Sequence, residues 1–383
     1  MTGGASPAPA APPYRKLNVL HVITKGEAGG AQTHVLTLCS ALQASGRVTP
    51  RVAIGGCEAQ PPLAQALQSR SIPVLRIPDL GNRLTPSSLW RAVRTLRSHL
   101  QAHPADLLHA HSAAAGVVAR LAGRLARVPV VYTVHGFAFK AGVPWARRVP
   151  AWAVECALAP LTRVLVCVSS HEAQLARTLP IARDRIFVVH NGVEDCVERA
   201  HPAADDPPGI AMVARLAAPK RPDLLLQALG RVRDALGREL PATLLGDGPM
   251  RGALEAQARQ LGLAQITFAG DVDDVQGRLA RHAIGVLVSD HEGLPLAVIE
   301  AMRAGQAIVV SDLPGTRELL PDDTCGLRVP NAPAALADVL LRLAADPALR
   351  GRLGQAARAR YAQHHAPDTM AAGVLRAYER ALA

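Results

Sequence analysis

The chain has 383 residues, 49% hydrophobic and 19% charged, with aromatics at only 3%. Such a composition excludes disorder for the bulk of the chain and, at roughly 150 residues per domain, fits two or three domains with cores of Leu, Val, Ile and Ala. The net charge of +11 is uneven: residues 1–200 carry 22 basic and 10 acidic side chains (+12), residues 201–383 carry 20 and 21 (−1).

Two readings account for that asymmetry. Either the N-terminal half faces something anionic, such as nucleic acid, a membrane surface or a phosphorylated acceptor, or the composition is simply Arg-rich. Only Lys16, Lys25, Lys140 and Lys220 are lysines, which fits the second. Six Cys without paired CxxC spacing argue against a disulfide framework and a structural zinc site, and point to a reducing cytoplasm.

In chain order, residues 1–16 (MTGGASPAPAAPPYRK) lack an apolar signal-peptide segment and read as a disordered leader. A strand, LNVLHVI (17–23), runs through a Gly loop, TKGEAGG, into a helix that stops at Gly46. Strand RVAIGG, helix 62–69 and strand PVLRIP follow. The helix SSLWRAVRTLRSHLQAH has Leu89, Val93, Leu96 and Leu100 on one buried stripe. Strands DLLHAH, PVVYTVH, RVLVCVS and RIFVVHNGV then alternate with helices. The polar, Pro-rich segment CVERAHPAADDPP (196–208) is the domain boundary.

After it the alternation restarts: strands GIAMVAR, ATLLGDG, ITFAGDV, AIGVLVS and AIVVS are separated by helices, and residues 333–383 are helical. Alternating strands and helices predict an α/β protein with two doubly wound, Rossmann-like domains, 17–200 and 201–365, facing across a cleft. Residues 366–383 form a terminal helix that can cross back to the first domain. Ligands of such sheets bind beyond the carboxyl ends of the strands, so the cleft is the expected site. No apolar run reaches the ~18–20 residues of a membrane span.

The sharpest local feature is SDHEGLPLAVIEAMRAG (289–305), placed between a strand and a helix. Pro295 near the first helical position and Gly305 as a stop bound that helix. Glu292 lies in the loop at its mouth, and Glu300 about 7.5 Å along the axis from Pro295. Two carboxylates staggered this way suit two separated hydroxyl groups of one long ligand. The helix N-terminus between them favours an anion. Hydroxyl, phosphate, hydroxyl is the profile of a nucleotide sugar.

These residues resemble the family 4 glycosyltransferases, retaining enzymes of GT-B fold. The E-x7-E motif stands as Glu292-Gly-Leu-Pro-Leu-Ala-Val-Ile-Glu300, the phosphate-binding pair as Arg215 and Lys220 in VARLAAPKRPD, and the N-terminal loop as GEAGGAQTHV with Gly29 and Gly30. LLHAHS, YTVHGFAF, VCVSS, HNGV, GDGP and GDV follow the family's order, so the resemblance spans roughly residues 17–365. TVHGFAF is most similar to bacterial enzymes building capsule, exopolysaccharide or lipopolysaccharide.

The resemblance implies transfer of a hexose-type sugar from a UDP- or GDP-sugar donor, without a metal or other cofactor, to a polyprenyl-diphosphate-linked or glycan acceptor. Arg215 and Lys220 would neutralise the leaving diphosphate. His135 would hydrogen-bond the transferred sugar. Glu292, with the N–H groups of Gly293 and Leu294 beside Pro295, would hold the sugar's hydroxyls, and Glu300 the ribose. Gly30 would lie under the phosphates or the acceptor, Gly246 and Val272 beside the base. His109 and His111 end one strand on a common side and with His135 suggest a metal site, but no Asp or Cys has ligand-like spacing.

On the acceptor side, Arg91, Arg94 and Arg97 lie off the Leu stripe of their helix. Arg147 and Arg148 stand near Trp145 and Trp152. Cations interleaved with Trp suit docking of the N-terminal lobe on an anionic inner-membrane surface, and a solvated Arg face with core Trp suits the pattern equally. The alternatives are a sugar-nucleotide epimerase of the same fold, or a non-catalytic bilobal sugar-binding protein, which would normally need an export signal. A nucleic-acid binder would need a recognition motif or more stacking aromatics than are present.

Overall fold

The computed structural model describes residues 15–27, 29–58, 60–140, 142–204 and 206–383; most of the expected leader lies outside them. The strand–helix alternation builds two separate all-parallel sheets. The first is made of β1 (Leu17–Ile23), β2 (Val48–Gly55), β3 (Val74–Ile77), β4 (Leu107–Ala110), β5 (Val130–Val134), β6 (Val164–Cys167) and β7 (Ile186–Val188), in the order 3-2-1-4-5-6-7. Its connecting helices are α1 (Gly30–Ala44), α2 (Pro62–Ser69), α3 (Pro86–Ala102), α4 (Ala113–Ala126), α5 (Trp145–Leu158) and α6 (Ser170–Ala176).

The second sheet is made of β8 (Ile210–Val213), β9 (Ala242–Leu245), β10 (Ile266–Gly270), β11 (Ile284–Leu287), β12 (Ala307–Ser311) and β13 (Leu327–Val329), in the order 10-9-8-11-12-13. It carries α7 (Pro222–Leu236), α8 (Arg251–Gln260), α9 (Val275–Ala280), α10 (Leu296–Ala304) and α11 (Pro314–Leu319). The helical tail resolves into α12 (Pro333–Ala345), α13 (Pro347–His364) and α14 (Pro367–Leu382), each opened by a proline whose missing N–H is harmless at a helix start.

Covered on both faces, the strands read as unbroken apolar runs; every residue of β6 (VLVC) is buried. One face of the first sheet packs on α3 and α4 through Val93, Leu96, Val118 and Ala122. On the other face Leu38 and Leu42 of α1 share a core with Met370, Val374 and Tyr378 of α14. The end of the chain therefore completes the core of the first sheet, although it follows the second sheet in sequence.

In both sheets the strand order reverses beside the first strand, between β1 and β4 and between β8 and β11. That reversal opens a crevice at the carboxyl edge. The two crevices face each other. Asn191, just after β7, donates from Nδ2 to the Leu294 carbonyl across the gap (2.9 Å). The Glu318 carboxylate of α11 accepts from the Ser170 N–H (2.8 Å) and from His190 Nε2 (2.6 Å). Burial would raise the Glu318 pKa, but the bonds from His190 and Ser170 outweigh it and hold the carboxyl below its ordinary value.

Candidate active site

The loop after β8 and the loop after β11 are stapled together. Arg221 N–H donates to the Val288 carbonyl (2.9 Å) and Asp290 N–H to the Pro219 carbonyl (2.9 Å). The Ser289 hydroxyl donates to the Pro219 carbonyl (3.2 Å). This staple sets Lys220 against Glu292: Nζ and Oε1 form an ion pair, with both side chains mostly buried. Seventy-two positions apart, the two residues become one charged unit beside the start of α10.

Glu292 leads into Gly293, which packs against the first lobe. A Cβ at 293 would lie 2.5 Å from the His135 carbonyl oxygen, closer than any non-bonded contact allows. Only glycine lets the loops after β5 and β11 touch here. Gly293→Ala is expected to push the lobes apart and lower kcat/KM by about tenfold to 100-fold, with circular dichroism unchanged. Wild-type kinetics in that variant would show that the contact gives way.

The starts of two helices also meet. A Cβ at Gly30, the first residue of α1, would lie 3.6 Å from Leu296 Cδ1, the first residue of α10. Each helix start leaves N–H groups without intrahelical partners and carries partial positive charge. Neither Gly29 (φ 167°) nor Gly30 has a left-handed backbone, so positive φ is not their reason for being there.

Glu300 lies farther along α10, half-buried and without a hydrogen-bond partner among the described residues. Burial pushes its pKa up, and Arg303 one turn on offsets part of that rise. Arg215, at the end of β8, is exposed and likewise unpartnered among the described residues. Gly246 holds a φ of 124°, and a Cβ there would meet the Ala214 carbonyl at 2.3 Å. Its N–H donates to the Gly270 carbonyl (2.8 Å), which brings the turn after β9 to that after β10, where Val272 sits half-buried.

The structure thus gathers His135, Lys220, Glu292, Gly293, Leu294, Pro295 and Gly30 in one cleft, with Arg215, Gly246 and Val272 on adjoining loops of the second lobe and Glu300 farther along α10. The remaining basic residues lie elsewhere, on α3 and α5. Arg91 is ion-paired with Asp79 (2.7 Å), and Arg94 stacks over the Trp90 ring (5.3 Å). Arg147 and Arg148 are exposed on α5, with Trp145 79% and Trp152 42% exposed, so those Trp residues are not core.

Several cleft residues, carried by the helices α1 and α11, had no signal in the sequence. His34 donates from Nδ1 to Asn191 Oδ1 (3.0 Å), and Glu318 bridges the lobes. Gly315 packs so tightly that a Cβ would meet the Gly293 carbonyl at 1.9 Å.

Comparison with known proteins agrees with this geometry. Residues 28–195 match the family model described as Glycosyltransferase Family 4, and residues 195–360 the model Glycosyl transferases group 1. A D-inositol 3-phosphate glycosyltransferase of Xylanimonas cellulosilytica is 30% identical over 396 aligned positions, covering 93% of each chain. An Escherichia coli UDP-Gal:alpha-D-GlcNAc-diphosphoundecaprenol alpha-1,3-galactosyltransferase is 26% identical over 291 positions, covering 71% of this chain and 74% of that one. The crystal structure of Anabaena HepE in complex with UDP-glucose superposes with a TM-score of 0.80 at 20% identity, covering 94% of this chain and 98% of that one. With two facing parallel-sheet lobes, the E-x7-E segment at the cleft and the two family models matched one after the other along the chain, the chain belongs to the family 4 glycosyltransferases of GT-B fold.

Proposed function

We propose that the enzyme transfers a hexose-type sugar, with retention of anomeric configuration, from a UDP- or GDP-sugar to a lipid-linked or glycan acceptor in the synthesis of a bacterial surface polysaccharide. The observation that carries this reading is the Lys220–Glu292 unit beside two adjoining helix starts. It offers one cationic, N–H-rich place for a diphosphate and one carboxylate for sugar hydroxyls within a single cleft. The E. coli relative, named for a diphosphoundecaprenol-linked acceptor, favours a polyprenyl-diphosphate acceptor.

In this reading the diphosphate lies between the starts of α1 and α10, near Gly30, with Lys220 and Arg215 against its oxygens. The base lies by Gly246 and Val272, and Glu300 accepts from the ribose hydroxyls. Glu292 and the N–H groups of Gly293 and Leu294, beside Pro295, hold the transferred sugar, with His135 on the opposite wall. The acceptor hydroxyl attacks the anomeric carbon from the face the nucleotide leaves. The C–O bond to phosphate breaks, and the departing phosphate oxygen takes the acceptor's proton. Charge on that phosphate is met by Lys220, Arg215 and the helix starts, so no metal or other cofactor is required for the transfer.

The test is a thermal-shift screen with UDP, GDP, ADP and their sugars on wild type and Glu300→Ala. A ligand at 100 times its Kd adds about 2.7 kcal/mol of stability. A shift with one nucleotide that disappears in Glu300→Ala is expected. Absence of any shift would remove the donor assignment.

Helix α5 suits the acceptor side. Its exposed Trp145, Val149 and Trp152 alternate with Arg147 and Arg148, an arrangement that fits an anionic lipid interface. None of the described helices is long and apolar enough to cross a membrane, so the contact would be peripheral, on the cytoplasmic face of the inner membrane. Liposome flotation should rise with anionic lipid content and fall in Arg147→Glu/Arg148→Glu. Flotation indifferent to lipid charge would end this part of the proposal.

A further inference from the structure

Five histidines from distant parts of the chain converge at the carboxyl edge of the first sheet. His21 on β1 sits in register with His109 on β4. His111 follows two residues on, His135 ends β5, and His34 comes from α1. Ring centroids are 4.1 Å apart for His109 and His111 and 4.6 Å for His34 and His135. His21, His34, His109 and His111 are all at most 2% exposed.

Two triplets within this cluster bring ring nitrogens within 4.8 Å of one another: His21, His109, His111 and His34, His111, His135. They differ in what is free. Both nitrogens of His109 are engaged, Nδ1 with the Tyr378 hydroxyl and Nε2 with the Thr133 hydroxyl, each at 2.7 Å. In the other triplet every ring keeps one buried nitrogen without a hydrogen-bond partner: His34 Nε2, His111 Nδ1 and His135 Nε2.

The hydrogen bonds behind these rings settle one lone pair. Asn191 donates from Nδ2 to the Leu294 carbonyl, so its Oδ1 accepts. His34 Nδ1 must then carry the proton, and Nε2 presents its lone pair to the cluster. A ring fixed through its far nitrogen is the usual support of a metal-binding histidine. His111 Nε2 is hydrogen-bonded to His21 Nδ1 (2.9 Å), and coordination through His111 Nδ1 requires Nε2 to be the donor in that bond.

We propose that His34, His111 and His135 bind a divalent first-row transition-metal ion of the zinc class, three imidazole nitrogens filling three positions and the fourth remaining open on the His135 side. An all-imidazole set suits Zn²⁺ and its neighbours and excludes Mg²⁺ and Ca²⁺, which take oxygen ligands. Imidazole coordinates metal in its neutral form, through a ring nitrogen that carries no proton. His34 and His111 are buried and out of reach of a sugar ring, whereas His135 is half-buried.

The site is not a cofactor site for the proposed transfer. An ion here would occupy His135, which that reading gives to the donor sugar, and so would act as an inhibitor. Only this consequence rests on the proposed function.

The experiment uses the full chain, stripped with chelator and titrated with Co²⁺ and then Zn²⁺ without nucleotide. One Co²⁺ per chain with the strong visible bands of four-coordinate geometry, displaced by Zn²⁺, is expected. His34→Gln, His111→Gln and, through the ring it orients, Asn191→Ala should each raise the Kd by about tenfold or more. Wild type without bands and without retained zinc, or ligand variants that bind as wild type does, would overturn the assignment. Metal is read without donor, so the two proposals fail separately: loss of this one leaves a nucleotide thermal shift in place, and loss of the donor reading leaves the Co²⁺ bands.

Discussion

Replacing Lys220 by Ala is expected to lower kcat/KM by about 100- to 1,000-fold, or about 2.7–4 kcal/mol of transition-state stabilisation, the scale of one lost charge-stabilising donor. Lys220 has two tasks in the cleft. It pairs with Glu292, and in the proposed reaction it meets the charge that develops on the leaving phosphate. The alanine variant removes both, so the loss should fall mainly on kcat. Glu292→Gln separates the tasks. It keeps the shape and a hydrogen-bonding group but releases Lys220 from its pair, so donor affinity should hold while turnover falls. Steady-state kinetics with the donor identified by thermal shift checks both variants. A Lys220→Ala enzyme within a few-fold of wild type would mean that helix starts and Arg215 carry the phosphate charge alone.

The largest stability effect is expected away from the cleft, at Glu155. Its carboxylate on α5 forms a bidentate pair with Arg120 on α4, at 2.7 and 3.2 Å, with side-chain exposures of 9% and 1%. Arg120 also donates from Nε to the Gly116 carbonyl (2.8 Å) and lies over the Tyr132 ring (4.8 Å). Glu155→Ala leaves that guanidinium buried without its counter-charge, and breaking a buried pair from one side costs about 3–5 kcal/mol. Urea unfolding should show the loss. The double variant Arg120→Met/Glu155→Leu should recover most of it, because the desolvated charge is gone as well.

The same pair bears on the proposed membrane contact. Of the residues of α5 only Glu155 and Leu158 are buried, while Trp145, Val149, Trp152 and Val154 are exposed. The Arg120–Glu155 pair is thus a principal anchor of the helix proposed to meet the membrane. If α5 docks on lipid, Glu155→Ala should weaken liposome flotation at temperatures where the protein is still folded.

Much of the architecture was legible in the sequence because it rests on local and periodic signals. Apolar strands alternating with amphipathic helices, and a polar break near residue 200, lead to two doubly wound sheets. Helix geometry alone places Glu292 at the mouth of α10 and Glu300 on its second turn, and strand ends carry His135, Arg215, Gly246 and Val272 to the cleft edge. Each inference needs only residues within a few turns of one another. The same locality explains its failures. A core position for Trp145 and Trp152 suited the pattern of α5 as well as an exposed one, yet both are exposed, because local spacing does not say which face of a helix finds a neighbour.

What only the tertiary structure decided are pairings between residues with no spacing rule. Lys220 meets Glu292 because the loops after β8 and β11 are stapled by backbone hydrogen bonds. Glu318 reaches Ser170 and His190, and Gly293 reaches His135, because the two lobes face each other and a residue without a side chain stands at the second contact. The histidines at 21, 34, 109, 111 and 135 become one cluster because sheet order, not sequence order, sets β1 beside β4 and α1 over both. A chain's periodicity states which face of an element is buried; which buried faces then touch is settled by packing across the whole fold.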